Sequence, residues 1–334
     1  MRHRFLSIAL AALAAFAPAA GAEVGEVRIT KQFGLGFLPL MVMENNKLME
    51  KHLAAAGLGG SKATYSTLSN PAAVNDALLA GQVDFIPNGP PATLTMWART
   101  KGTASEVRSV CAMIQLPMWL NVRNPSIKSV RDLTENDRIV VTAIKVSIPA
   151  IILQMVAARE WGKANYARFD PLTIAMGHPD GMTAFLSGKE ITAHFTSPPF
   201  MYQELERPGV HTILSSDDVM GGPTTFSGIM ATAKFRNENP KSYAAFLAAF
   251  SEAIELINKD KRAAAEIYLK VTGDKKSTVA EIQKQIEDPQ LVYTTTPRNF
   301  MKYADFMYDI GSIKQKAGSW KDIFFPEVHH LPGS

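Results

Sequence analysis

Short apolar runs alternate with stretches of helical spacing along most of the chain. Val27 to Ile29, Val83 to Ile86, Val107 to Met113, Ile139 to Val141, Leu172 to Ala175, Ile191 to Phe195 and Phe226 to Ala231 have the length and residue types of buried strands. Between them, Pro39 to Ala56, Pro71 to Ala80, Pro91 to Ala98, Ile148 to Glu160, Met182 to Leu186 and Pro198 to Glu206 read as helices. Pro39, Pro71 and Pro91 fall at helix starts, where a missing N–H costs no intrahelical bond. Gly57, Gly81 and Gly188 fall where a helix stops in the left-handed conformation. The alternation predicts an α/β fold of mostly parallel sheets flanked by helices. From Pro240 onward the pattern turns helical, and Tyr243, Leu247, Phe250, Ile254 and Ile257 form one apolar stripe.

The chain has 334 residues, enough for two domains. Its first residues do not fit the alternation. Met1-Arg2-His3-Arg4 is basic, Phe5 to Ala17 is an apolar run, and Ala20-Gly21-Ala22 is a small-residue cleavage site. That order is a secretory signal peptide with cleavage after Ala22, since the apolar run is too short to span a bilayer. It predicts a periplasmic, soluble chain. No cysteine stands at the cleavage site, which argues against a lipid anchor there. Without the leader's two arginines the chain keeps 33 Lys and Arg against 31 Asp and Glu. No Lys/Arg run accompanies that small excess, so nothing points to nucleic acid. Cys111 is the sole cysteine and its apolar neighbours read as a buried strand, so no internal disulfide forms.

In parallel α/β sheets ligands sit beyond the carboxyl ends of strands, where helix starts aim free N–H groups outward. Five loops occupy such places. Lys31 to Pro39 carries Phe33, Gly34, Gly36 and Phe37; its G-x-G spacing lacks the third glycine of a dinucleotide site. The elbow Asn88-Gly89-Pro90-Pro91 offers an amide side chain and bare backbone. Thr142 to Ser147 supplies Lys145 and Ser147, Met176 to Gly181 supplies His178, and Thr196-Ser197-Pro198-Pro199 repeats the build of the elbow. Short polar residues at these places serve equally as helix caps, and Lys145 equally as a solvated charge. No G-x-S-x-G elbow, H-E-x-x-H pair, phosphate-binding G-x-x-x-x-G-K-[ST] loop or paired-cysteine metal site is present. No cofactor or metal is therefore expected.

The segments FGLGFLPLMVMENNKLMEKHLAAAGL, NDALLAGQVDFIPNGPPATLTMW, VRNPSIKSVRDL with VVTAIKVSIPAIILQ, and ITAHFTSPPFMYQEL occur in an order that resembles the periplasmic solute-binding proteins of nitrate/sulfonate/taurine-type ABC importers. The likeness spans about residues 27 to 270. It implies a two-lobed periplasmic binding protein fold (type II), each lobe a sheet flanked by helices, with two hinge crossings. The lobes would be 23–117 plus 225–334, and 118–224, crossing near Leu116-Pro117 and Thr224-Thr225. Carried across by position, ligand contacts would come from Phe33, Gly34, Phe37, Asn88, Gly89 and Pro90 of the first lobe. The second lobe would add Lys145, Ser147, His178, Thr196 and Ser197. Apolar bulk at Phe33, Phe37, Met118, Trp119 and Phe226 departs from what nitrate needs and suits an anion with an aliphatic or aromatic body, a sulfonate or carboxylate. An ABC permease is the implied partner, and a monomer the implied state. Two other functions remain open: a thiamine-pyrimidine-synthase-like enzyme of the same superfamily, disfavoured by the single cysteine and the leader, and a periplasmic sensor or adaptor.

Overall fold

A computed structural model describes residues 23–69 and 71–334. The expected leader, 1–22, lies outside them. The chain begins with β1 (Glu26–Lys31), a single 3-10 turn at Leu35–Phe37, α1 (Leu38–Asn45), α2 (Leu48–Ala55), β2 (Lys62–Thr67), α3 (Pro71–Leu79), β3 (Ile86–Asn88), α4 (Pro90–Thr100) and β4 (Val107–Gln115). The second stretch runs β5 (Trp119–Val122), β6 (Ile139–Val141), α5 (Ile148–Trp161), β7 (Thr173–Ala175), α6 (His178–Leu186), β8 (Ala193–Thr196), α7 (Phe200–Leu205), β9 (His211–Ser215) and α8 (Ser216–Met220). The last stretch is β10 (Thr225–Thr232), α9 (Ala233–Glu238), α10 (Pro240–Lys259), α11 (Lys261–Thr272), α12 (Val279–Ile286), β11 (Val292–Tyr293) and α13 (Phe300–Asp309).

Two main sheets result, ordered β11-β4-β10-β3 and β7-β6-β8-β5-β9. β1 pairs with β2, and a bridge from Ile29 to Phe85 ties that pair to the segment entering β3. The chain passes from the first sheet to the second between Gln115 and Trp119, and returns between Ser215 and Thr225. The expected parallel pairing holds for β1–β2, β6–β7 and β6–β8. It does not hold for the crossing strands. β10 is antiparallel to both β3 and β4, and β5 to both β8 and β9. No helical crossover returns the chain before either strand; each enters from the other half, so it runs against the strands that end at the junction.

Local chemistry explains other departures from the apolar pattern. The segment 39–56 is two helices, not one, because Lys47 sits at φ +52 between them, a left-handed residue that no continuous helix accommodates. β3 contains Pro87 and lies at a sheet edge, where a missing N–H breaks no ladder bond. β2 has no buried residue and pairs on one side alone, so it left no apolar signature. Cys111 is buried in β4, and burial pushes its thiol pKa up, which keeps it unreactive.

The core of the first half is aromatic. Phe85 stacks on Phe246 of α10 with ring centroids 3.8 Å apart, and Phe246 stacks on Phe250. The buried stripe of α10 centres on Tyr243, Phe246, Phe250, Ala253 and Ile257, while Leu247 is half-buried at its margin. The start of α10 is held by Glu23, whose carboxylate accepts from the Lys241 N–H at 2.7 Å, the Ser242 N–H at 3.0 Å and the Ser242 hydroxyl at 2.7 Å. A carboxylate at a helix start is favoured by charge and by the free amides together. Glu23→Ala is therefore expected to lower stability by about 1 kcal/mol in urea unfolding; an unchanged midpoint contradicts this capping role.

Candidate functional site

Where the two halves meet, a cavity of about 40 Å³ opens between helix starts. The first half contributes Gln32, Phe33 and Phe37 from the β1 loop, Ser69 and Pro71 at the start of α3, Gly89 and Ala92 at the start of α4, and Phe226 and Ser227 of β10. The second half contributes Met118 from the crossing, Thr142, Val146, Ser147, Ile148 and Pro149 around the start of α5, and His178, the first residue of α6. No Asp, Glu, Lys or Arg lines it among the described residues. Its volume is well below the few hundred Å³ of a drug-sized site, so it suits a compact solute.

The helix starts leave their amides available. The residues before α4, α5 and α6 are Gly89, Ser147 and Gly177, and none makes a side-chain capping bond. Ser147 stands where a cap is expected, but its hydroxyl donates to the Ala143 carbonyl at 2.6 Å. Prolines occupy the first turn of each helix and remove some donors. Among the lining residues, Ala92, Ile148 and His178 keep first-turn N–H groups with no acceptor inside their own helices. Together they make an electropositive wall without a formal charge.

Close approach across the junction depends on two glycines. A Cβ on Gly89 would stand 2.9 Å from Ile148 Cδ1 and 3.1 Å from the Phe226 carbonyl. Gly34, at φ +106, would put one 2.9 Å from the Pro198 carbonyl, which instead accepts from the Leu35 N–H at 3.1 Å. Further bonds cross the junction: the Tyr202 hydroxyl donates to Asp288 at 2.8 Å, and the Gln203 amide to the Ser277 hydroxyl at 3.0 Å.

His178 is backed by a fully buried polar chain. Its Nδ1 lies 3.0 Å from the Thr196 hydroxyl and 3.4 Å from His194 Nε2. His194 Nδ1 meets Glu204 Oε1 at 2.5 Å, and Glu204 Oε2 accepts from the Asn121 amide at 3.0 Å. Burial, and then the neighbouring His194, push the His178 pKa well down, so its ring is neutral. Phe200 stacks on the other side of the ring, 5.6 Å between centroids.

Of the eleven residues expected to contact ligand, Phe33, Phe37, Gly89, Ser147 and His178 line this cavity. Gly34 contacts the opposite half instead, and Pro90 opens α4 immediately beyond Gly89. Asn88 turns away: its amide donates to Asn75 at 2.6 Å within the first half. Lys145 is exposed at φ +63 in the loop before α5, outside the lining. Thr196 stands behind His178, and Ser197 is buried beside it in sequence, its hydroxyl without a partner among the described residues. Ser69 escaped sequence reasoning because β2, the strand before it, showed no apolar pattern. Gln32 adjoins Phe33 but spends its amide on the Pro87 carbonyl at 3.1 Å.

No family model and no curated protein sequence matches the chain. Solved structures do. The alkanesulfonate-binding protein SsuA from Xanthomonas axonopodis pv. citri, bound to MOPS, superposes with a TM-score of 0.68 at 15% identity, covering 88% of this chain and 96% of that one. The periplasmic aliphatic sulphonate binding protein SsuA from Escherichia coli gives 0.64 at 18% identity, covering 91% and 92%. The Candida albicans CA3427 gene product, described as having the generic periplasmic binding protein fold, gives 0.63 at 11% identity, covering 90% and 96%. The two sheets, the double crossing and this likeness together establish that the chain has the periplasmic binding protein fold.

Proposed function

We propose that the chain is the solute-binding component of an ABC importer and captures a small organic anion between lobes 23–117 plus 225–334 and 118–224. The signal peptide would direct it to the periplasm, and cleavage after Ala22 would release a soluble monomer that delivers its ligand to a permease in the inner membrane. The observation that carries the reading is the cavity at the junction, where uncapped helix starts from both halves meet without a charged side chain. Such a site holds an acid group with dipoles and amides, whose charge preference is negative. Phe33, Phe37, Met118 and Phe226 supply apolar surface for an organic body. The Xanthomonas neighbour with bound MOPS supports a sulfonate, and a carboxylate meets the same requirement. The lining hydroxyls of Ser147 and Ser227 donate to the backbone carbonyls of Ala143 and Asn88 and not to a base, which favours binding over catalysis.

Opening and closing about the two crossings would admit and retain the ligand. The bonds from Leu35 to Pro198, Tyr202 to Asp288 and Gln203 to Ser277 belong to the closed form. A thermal-shift panel tests the ligand class: ethanesulfonate, MOPS and benzoate are expected to raise Tm, and their neutral amides to leave it unchanged. Stabilisation by the amides and not by the acids contradicts the reading. Gly89→Leu is expected to fold but to lose the ligand-dependent shift, because its side chain enters the gap that Ile148 closes; a normal shift removes the α4 start from the site. Lys145→Ala is expected to leave affinity in calorimetry within about twofold, less than the value of one ordinary hydrogen bond. A tenfold loss would instead place Lys145 on the ligand.

A further inference from the structure

His178 is the only titratable side chain on the cavity wall among the described residues. What it offers a ligand depends on where its proton sits. A neutral imidazole donates from one ring nitrogen and accepts at the other. Nδ1 is engaged on the protein side, by Thr196 and His194, whereas Nε2 has no partner among the described residues.

The buried pair behind it decides the tautomer. His194 and Glu204 are both fully buried, and the other side-chain partner of the carboxylate is the neutral amide of Asn121. Two arrangements leave the pair without net charge while Glu204 Oε2 accepts from Asn121 and so carries no hydrogen itself. In one, an imidazolium donates from Nδ1 to the Glu204 carboxylate. In the other, the Glu204 acid donates to a neutral His194 at Nδ1. Both put a hydrogen on His194 Nε2, the atom that faces His178 Nδ1. The remaining arrangement, a carboxylate beside a neutral His194 protonated at Nδ1, buries an uncompensated negative charge at a cost of several kcal/mol. Asn121 is itself held by the Thr212 hydroxyl at 2.7 Å and by the Met201 carbonyl at 3.1 Å, so its N–H stays on Glu204. In both arrangements the last link therefore has one direction, from His194 Nε2–H to His178 Nδ1. His178 Nδ1 can only accept, and its own hydrogen stands on Nε2.

We propose that His178 is the specificity-determining donor of the cavity: the His194–Glu204 pair fixes its proton on Nε2, so the ligand atom set against it is a hydrogen-bond acceptor. This rests on the reading of the cavity as the ligand site and narrows it. A deprotonated acid oxygen satisfies the donor; an ammonium, guanidinium or amide N–H is rejected, because it would face another donor. His194 and Glu204 act as positioning residues, since neither lines the cavity.

Two measurements test the inference. Histidine-selective 15N labelling and long-range 1H–15N spectra of the unliganded chain are expected to show a pyridine-type Nδ1 and a pyrrole-type Nε2 for His178, assigned by loss of the signals in His178→Gln. The opposite tautomer, or an imidazolium at neutral pH, overturns it. In Glu204→Gln the amide still donates to His194 Nδ1, so the His178 tautomer is expected to persist; a switch to Nδ1–H overturns the account of the pair. The second measurement is calorimetry with ethanesulfonate, MOPS and benzoate. His178→Phe is expected to weaken the tightest of them by about tenfold or more, the value of one hydrogen bond to a charged acceptor. His178→Gln, which can place an N–H near the Nε2 position, is expected to recover most of that loss, and His178→Asn, which cannot reach, is not. Equal affinity in wild type and His178→Phe refutes the donor role. A chain that binds none of the three probes refutes the ligand-site reading, while the spectra, which need no ligand, still decide the tautomer.

Discussion

First-turn amides have no acceptor inside their own helix, and wherever they are buried something must satisfy them. In this protein α4, α5 and α6 begin at one small cavity, and none is capped by its own side chain. Much else in the structure follows from that requirement. The starts can face each other only if strands from both halves end at the junction, and only if no side chain fills the space between them. Gly89 meets the second condition against Ile148, and Gly34 meets it against Pro198. On the reading proposed above, a solute with negative charge completes the hydrogen bonding that the protein leaves open.

The double crossing gives the site its mechanics. β4 and β10 pair side by side in the first half, and both continue directly across the junction. β4 leaves for the second half and β10 returns from it, so their antiparallel pairing sets the two connecting segments side by side. Met118 and Phe226 sit on or beside these segments and also line the cavity, so the crossing and the cavity share residues. On the reading proposed above, ligand contact and lobe orientation would be coupled through the same backbone.

Much of this was legible in the sequence where burial was two-sided. The runs at 107–113, 139–141 and 226–231 sit within strands of the structure because both faces are covered. Pro71 opens its helix, and Gly81 follows its end at φ +67. One-sided or polar elements were not legible: β2 buries only Ala63 and Tyr65 of one face, and those only in part, and the break at Lys47 leaves the helical spacing unaltered. The site divided in the same way. Backbone-driven positions such as Gly89 and Ser147 follow from the strand–loop–helix order, and they line the cavity. Side-chain direction does not follow from that order, which is why Asn88 faces Asn75 and Lys145 faces solvent. The His178–His194–Glu204 chain joins residues from α6, β8 and α7, and no single segment carries its pattern.

The most direct test of the central claim is a crystal structure with 3-bromopropane-1-sulfonate, located by the anomalous signal of its bromine. The account predicts one ordered molecule in the cavity, its sulfonate oxygens about 3 Å from the amide nitrogens of Ala92 and Ile148 and from His178 Nε2, with its bromine toward Phe33 and Phe37. A molecule bound at another surface, or a cavity that stays empty at saturating concentration, would contradict it.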